Sequence, residues 1–123
     1  MILRHMPNQS PALDRVFHAL ADSSRRAIVE RLIQGPASVS ELAKPLPMAL
    51  PSVVQHLQVL EGCGLVRSEK VGRVRTCHLE PAPLTTVEQW IAERRALWEG
   101  HLQRLEGYLN DLQAKEREDG DSA

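Results

Sequence analysis

Aromatic side chains are scarce in this chain: one Phe, one Tyr and two Trp make up 3% of 123 residues. A core must therefore rest on Leu, Val, Ile and Ala. No apolar run approaches the roughly 20 residues that span a bilayer, and MILRHMPNQ at the start has no apolar h-region, so neither a membrane span nor a secretory leader is expected. Cysteine is equally thin. Cys63 and Cys77 lack CxxC spacing, and in the reducing cytosol this composition points to, two free thiols are the expectation. There is no Gly-rich phosphate loop, no nucleophile–base pair and no carboxylate pair in a plausible cleft, so an enzyme is set aside and no cofactor is expected.

An excess of one charge is also missing. The formal net charge of −1 argues against a strongly basic nucleic-acid binder, yet the total hides a gradient. From Asp22 to Glu80 there are eight Lys or Arg against six Asp or Glu, a net of +2; from Pro81 onward there are five against nine, a net of −4. The stretch VRSEKVGRVR, residues 66–75, places Arg67, Lys70, Arg73 and Arg75 against Glu69 alone. Positive charge is thus concentrated in one short segment.

The length suits one domain, expected over residues 11–115, with 1–10 and 116–123 as flexible tails. Leu13, Val16, Phe17 and Leu20 fall at helical spacing and predict a first helix. Asp22 is placed to cap a second, Ser23 to Gln34, ended by Gly35-Pro36. Ser38-x-x-Glu41 is a capping box for a short third helix closed by Pro45. In PSVVQHLQVLEGCGLV, residues 51–66, Val53, Leu57 and Leu60 form an apolar stripe, while Ser52, Gln55 and Gln58 leave the other face polar but uncharged. Residues 65–70 and 73–79 are strand candidates around a hairpin tip at Val71-Gly72. A long last helix, about Leu84 to about Lys115, repeats Leu84, Ile91, Trp98, Leu105 and Leu112 every seven residues. Helices joined by a short turn and followed by a basic hairpin give the order of a winged helix-turn-helix.

The segments ALADSSRRAIVERL (19–32), GPASVSELA (35–43), PSVVQHLQVLEGCGLV (51–66), VGRVRTCHLEP (71–81) and WIAERRALWEGHLQRLEGYL (90–109) resemble ArsR-type transcriptional repressors, in order and spacing, over about Leu13 to Leu112. The resemblance implies a mainly α fold: a winged helix-turn-helix with a two-stranded β-hairpin wing and a long C-terminal dimerisation helix. It also implies a homodimer on double-stranded DNA, with the fourth helix in the major groove and the wing on the backbone. The chain departs from the family where Ser-Gln-Pro-Ala-Val-Ser-Lys-His-Leu is common: Ala49, Leu50, Val54 and Gln55 replace the cap serine, the glutamine, a serine and the lysine. That puts the identity of the bound sequence in question.

Weighed residue by residue, Ser52, Val54, Gln55 and Gln58 are the candidate base contacts. Gln can bond an adenine edge, and Val54 can meet a thymine methyl. The rival reading of Gln55 and Gln58 is ordinary solvated surface. His56 joins the candidates, with a packed, hydrogen-bonded role carrying equal weight. Lys70, Arg73 and Arg75 are candidate phosphate contacts, the alternative being charges that guard a strand edge. Arg67 belongs with them unless Glu69 or Glu61 pairs with it. Arg25 and Arg26 are expected to form ion pairs with Asp22 and Glu30. Leu13, Phe17, Trp90, Ile91, Trp98, Leu102, Leu105 and Leu109 are the expected dimer interface.

Metal-binding members of the family carry thiols in the third helix, where this chain has Glu41-Leu-Ala-Lys-Pro45, so no metal is expected and the resemblance is to the non-metal branch. Release by a small molecule, by a protein partner, or autorepression without inducer are all open. Two rivals accompany the repressor reading: a winged helix turned protein–protein interaction module, and a thiol- or metal-responsive repressor of the same fold.

Overall fold

Capping side chains set the beginnings of the first helices. In the computed structural model, which describes residues 10–121, α1 spans Pro11–Leu20 and the Ser10 hydroxyl accepts from the Leu13 amide at 3.3 Å. α2 spans Ser23–Ile33, and Asp22 caps it, its carboxylate accepting from the Arg25 amide at 3.0 Å. That backbone hydrogen bond holds the Asp22 carboxyl below its ordinary value. Asp22 therefore favours the folded chain above the ordinary aspartate range, and the contribution fades as pH falls through its lowered value.

A two-residue strand, β1 (Ala37–Ser38), leads into α3 (Val39–Ala43). The capping box forms as its spacing predicts: the Ser38 hydroxyl accepts from the Glu41 amide and the Glu41 carboxylate accepts from the Ser38 amide, both at 3.1 Å. Then come α4 (Leu50–Gly62), β2 (Val66–Val71), β3 (Val74–Leu79) and α5 (Ala82–Asp121).

The core is aliphatic, as the shortage of aromatics requires. Val16 and Ala19 of α1, Ile28 and Leu32 of α2, Leu42 of α3 and Val53, Leu57 and Leu60 of α4 pack with Leu65, Val66 and Cys77 at the base of the hairpin. Leu84 and Val87, at the start of α5, lean on the same cluster. Leu13, expected among the dimer contacts, is also buried within the chain.

The turn after α4 explains the glycine that follows Cys63. The Leu65 amide donates to the Leu60 carbonyl and the Gly64 amide to the Glu61 carbonyl, both at 3.0 Å, with Gly64 at φ +84°. This is a Schellman ending, and its hydrophobic clasp joins Leu60 and Leu65, both fully buried.

The sheet has order β1-β3-β2, antiparallel throughout, with Ala37 opposite Cys77 and Val66 opposite Leu79. The expected two-stranded wing thus gains a short third strand. Two residues are too few to show a period, but burying Ala37 beside Cys77 needs its backbone groups paired. The tip differs by one residue from the expectation: β2 runs through Val71, and Gly72-Arg73 form the loop. Gly72 alone of this pair is at positive φ, +64°, as a type II′ turn requires.

The helix α5 continues past Lys115 to Asp121, so residues 116–121 are helical where a tail was expected. Residues 1–9, 122 and 123 lie outside the described residues. The chain divides into two units, one ending at Val87 and the other beginning at Glu88. Among the described residues no helix is long and apolar enough to cross a membrane.

Truncating Leu60 to Ala is expected to lower stability by about 3 kcal/mol, since the Leu65 clasp and the α4 stripe both lose it. Ile33→Ala, on a side chain 66% exposed, is expected to change it by less than about 0.5 kcal/mol. Urea unfolding with an unchanged m-value checks both.

Candidate nucleic-acid interface

The site begins with the orientation of α4. Burial of Val53, Leu57 and Leu60 turns Pro51, Gln55 and Gln58 outward, while Ser52 and Val54 sit half-buried at the flanks. No charged side chain interrupts this outer face before Glu61. The helix starts at Ala49, whose side chain offers no cap; the Ser52 and Val53 amides reach only its carbonyl. The serine usual in the family is missed here in a physical sense.

The inner shoulder of α4 is held by an arginine hub. Arg25 Nε donates to the Ala19 carbonyl at 2.7 Å, one terminal nitrogen donates to the His18 carbonyl at 3.0 Å, and the other lies 3.2 Å from His56 Nδ1. One side chain thus closes the C-terminal end of α1 while tying the start of α2 to the middle of α4. Arg26 likewise donates to the Leu20 carbonyl at 2.8 Å. The ion pairs expected for these two arginines, with Asp22 and Glu30, give way to carbonyl capping, because the C-terminus of α1 ends beside them with unpaired acceptors. For His56 the packed reading is the one this geometry favours. The same Nδ1 stands 3.9 Å from the Asp22 carboxylate.

The wing divides its cations into two kinds. Lys70, opposite Arg75 in the register, and Arg73 in the loop are exposed. Arg67 is engaged on the outer face of the sheet with Glu80 at 2.9 Å and Glu69 at 3.1 Å, which raises its already high pKa. The pairing with Glu69 that sequence left open is present, and Glu80 adds to it. Arg75 reaches back to α4: it lies 3.3 Å from Glu61 and donates to the Ser68 hydroxyl at 3.0 Å, while Ser68 donates to Glu61 at 2.6 Å. Sequence reading offered Glu61 as a partner for Arg67, whereas Glu61 pairs with Arg75, 14 residues further along the chain. Between the wing, α3 and the start of α4 lies an open cleft of about 260 Å³ lined by Ser38, Ser40, Leu50, Arg73, Val74 and Arg75.

The thiols stand apart from this surface. Cys77 is fully buried, and burial together with the nearby Glu61 charge pushes its thiol up, disfavouring the thiolate. Cys63 donates to the Leu60 carbonyl at 3.3 Å inside the Schellman turn. Among the described residues no three His, Cys, Asp or Glu side chains group as ligands for a metal ion. Of the expected interface side chains other than Leu13, Phe17 is 40% exposed and Trp98 60%; Ile91, Leu102, Leu105 and Leu109 are also exposed, and Trp90 is half-buried under the Arg94 guanidinium, 4.6 Å from its ring centre.

Comparison with known proteins agrees with this architecture. A family described as a helix-turn-helix domain matches residues 20–69. The HTH-type transcriptional regulator Rv2034 of Mycobacterium tuberculosis is 49% identical over 74 residues, covering 60% of this chain and 69% of the relative. The regulator CmtR of the same organism is 40% identical over 62 residues, 50% of this chain and about half of its own length (52%). A crystal structure of an ArsR family transcriptional regulator superimposes with a TM-score of 0.70 at 56% identity, over 72% of this chain and 97% of that one. A solution structure from Mycobacterium bovis, described as a homodimeric winged helix-turn-helix DNA-binding domain, gives 0.55 at 28% identity, over 74% of this chain and 94% of that one.

Two substitutions probe the local physics. Ala49→Ser supplies the absent cap and is expected to raise stability by about 1 kcal/mol, read by thermal or urea unfolding. Glu61→Gln removes the charge that holds Arg75. Amide exchange at the wing tip is expected to quicken with a stability loss below about 1 kcal/mol, because both partners are partly exposed.

Proposed function

Because the chain belongs to the ArsR family of winged helix-turn-helix transcriptional regulators, and so is a DNA-binding regulator rather than an enzyme, we propose that it acts as a homodimeric repressor of a short pseudo-palindromic operator. One observation carries the reading: the outward face of α4 is uncharged, and the exposed cations Lys70 and Arg73 follow directly on the wing. Neutral side chains suit reading of base edges, where Gln55 and Gln58 offer paired donors and acceptors and Val54 offers a methyl contact. Ser52, at the first turn, completes the set. Phosphates are held by Lys70 and Arg73, and by Arg75 and Arg67 as they exchange carboxylate partners for phosphate oxygens. His56 serves this surface from behind, by fixing the rotation of α4. An operator in the cell interior places the regulator in the cytoplasm.

Two copies are needed for two half-sites about 34 Å apart. Phe17 of α1 and the exposed apolar residues of α5, among them Ile91, Trp98, Leu102, Leu105 and Leu109, with Trp90 beside them, are the surfaces proposed to join them. Support comes from the amount of apolar surface left open on α5 and from the homodimeric state of the Mycobacterium bovis relative. The effector, if the regulator has one, is proposed not to be a metal, since α3 carries Glu41-Leu-Ala in place of thiols.

Selection of bound fragments from a random duplex pool, followed by salt titration, tests this reading. Affinity is expected to fall log-linearly with salt, and removing Lys70 and Arg73 together is expected to flatten the slope by about 2 per subunit, uniformly over sequences. Gln55→Ala is expected to leave that slope unchanged and to cost about 1–3 kcal/mol at one base pair of each half-site. Binding of no duplex at low salt, with capture of a protein instead, returns the interaction-module reading.

A further inference from the structure

We propose that Leu50 and Val54 act as a pair that selects thymine by its 5-methyl group, at two positions of each half-site about two base steps apart. The inference rests on the repressor reading above. It deepens that reading by naming the bases sought and by adding Leu50, which the reading leaves out, to the choosing surface.

Leu50 opens α4 and is 51% exposed. Val54, four residues on, stands one turn above it on the same side of the helix and is half-buried. Both border spaces that open toward the wing. Leu50 lines the cleft of about 260 Å³ with Arg73 and Arg75, and Val54 lines a slot of about 50 Å³ with Val39, Gln58 and Arg75. Arg75 borders both, so the two apolar side chains form one row beside the wing cations. A single exposed leucine is ordinary. This row is not, because the core does not account for it. Among the described residues neither side chain belongs to the apolar cluster or packs on its edge, as Leu46, Met48 and Val59 do. They are also two of the positions where the chain departs from its family, and at both an apolar side chain stands for a polar one.

The lining chooses the occupant. Two arginines and two serines border the cleft at Leu50, with no acid among its described lining, so it suits an anion whose neighbouring groups are apolar. DNA meets both demands. Its phosphates answer the arginines, and in the major groove the thymine C5-methyl is the apolar group that a base edge presents. The N-terminal residues of a recognition helix come nearest the base edges, and Leu50 is the first of them. Reach then sets the spacing. Four residues of helix rise about 6 Å, and bases along one strand follow at about 3.4 Å. Two methyls met by side chains one turn apart therefore lie about two base steps from each other. Gln55, on the outer face beside this row, is left to read hydrogen-bonding edges.

Uracil scanning of the selected duplex tests this on the unaltered full-length chain. Replacing one thymine by uracil removes the methyl alone and keeps every hydrogen bond of the base pair. Affinity at fixed salt is expected to fall about fourfold at each of two thymines per half-site and to hold at the others. Leu50→Gln is expected to abolish the penalty at one of those thymines and to leave it at the other; Val54→Ser is expected to do the reverse. Urea unfolding checks that both variants fold, and Leu50→Gln, on an exposed side chain, keeps the test open if Val54→Ser does not. Tight binding with no uracil penalty, penalties at another spacing, or penalties that Leu50→Gln leaves unchanged overturn the methyl reading and leave the repressor reading standing. Capture of a protein that Leu50→Gln abolishes, with no thymine sensitive to uracil, assigns the side chain to a protein contact and overturns it too. Binding of no duplex at low salt overturns both readings.

Discussion

Burial of Val53, Leu57 and Leu60 on one side of α4 is the constraint on which the candidate surface depends. Those three side chains fix the rotation of the helix about its axis, and the rotation decides which residues face water. Had the stripe been one residue out of phase, Gln55 and Gln58 would have been carried toward the core and the neutral outer face lost. The Schellman ending at Gly64 then fixes where the helix stops and sends the chain into β2 at a set angle, so the wing inherits its place from the same packing.

Polar groups refine what the core sets. Arg25 collects two carbonyls of α1 and the ring of His56, so α1, α2 and α4 share one anchor. Near the C-terminal end of α4, Glu61 takes hydrogen bonds from Ser68 and Arg75 and links the helix to the wing. Neither contact contributes much free energy by itself, being partly exposed. Their effect is geometric: the helix is held at its middle and near its C-terminal end against the elements that flank it. The wing cations consequently differ in readiness for phosphate. Lys70 and Arg73 stand exposed near the hairpin tip, whereas Arg67 and Arg75 already lie against carboxylates.

Much of this architecture is legible in the sequence. The caps at Asp22 and Ser38, the first helix, the apolar stripe of α4 and the hairpin all follow from local patterns: a capping side chain three residues before its amide, an apolar period, a glycine at a turn. Each is decided within a few residues, where sequence carries the physics directly. The β1 strand is not legible, because two residues show no period and its pairing partner Cys77 lies 40 positions away. Nor are the roles of Arg25 and Arg26, which sequence places against nearby acids and which instead cap carbonyls six and seven residues back.

By itself, then, the order of residues determined the helices, their caps, the neutral face of α4, the basic hairpin and the seven-residue stripe of α5, since all of these depend on near neighbours along the chain. Tertiary structure alone decided that Leu13 is buried, that Arg25 reaches His56 and that Glu61 pairs with Arg75. Those outcomes depend on which surfaces meet when distant segments close on one core, and separation in space is not written in separation along the sequence.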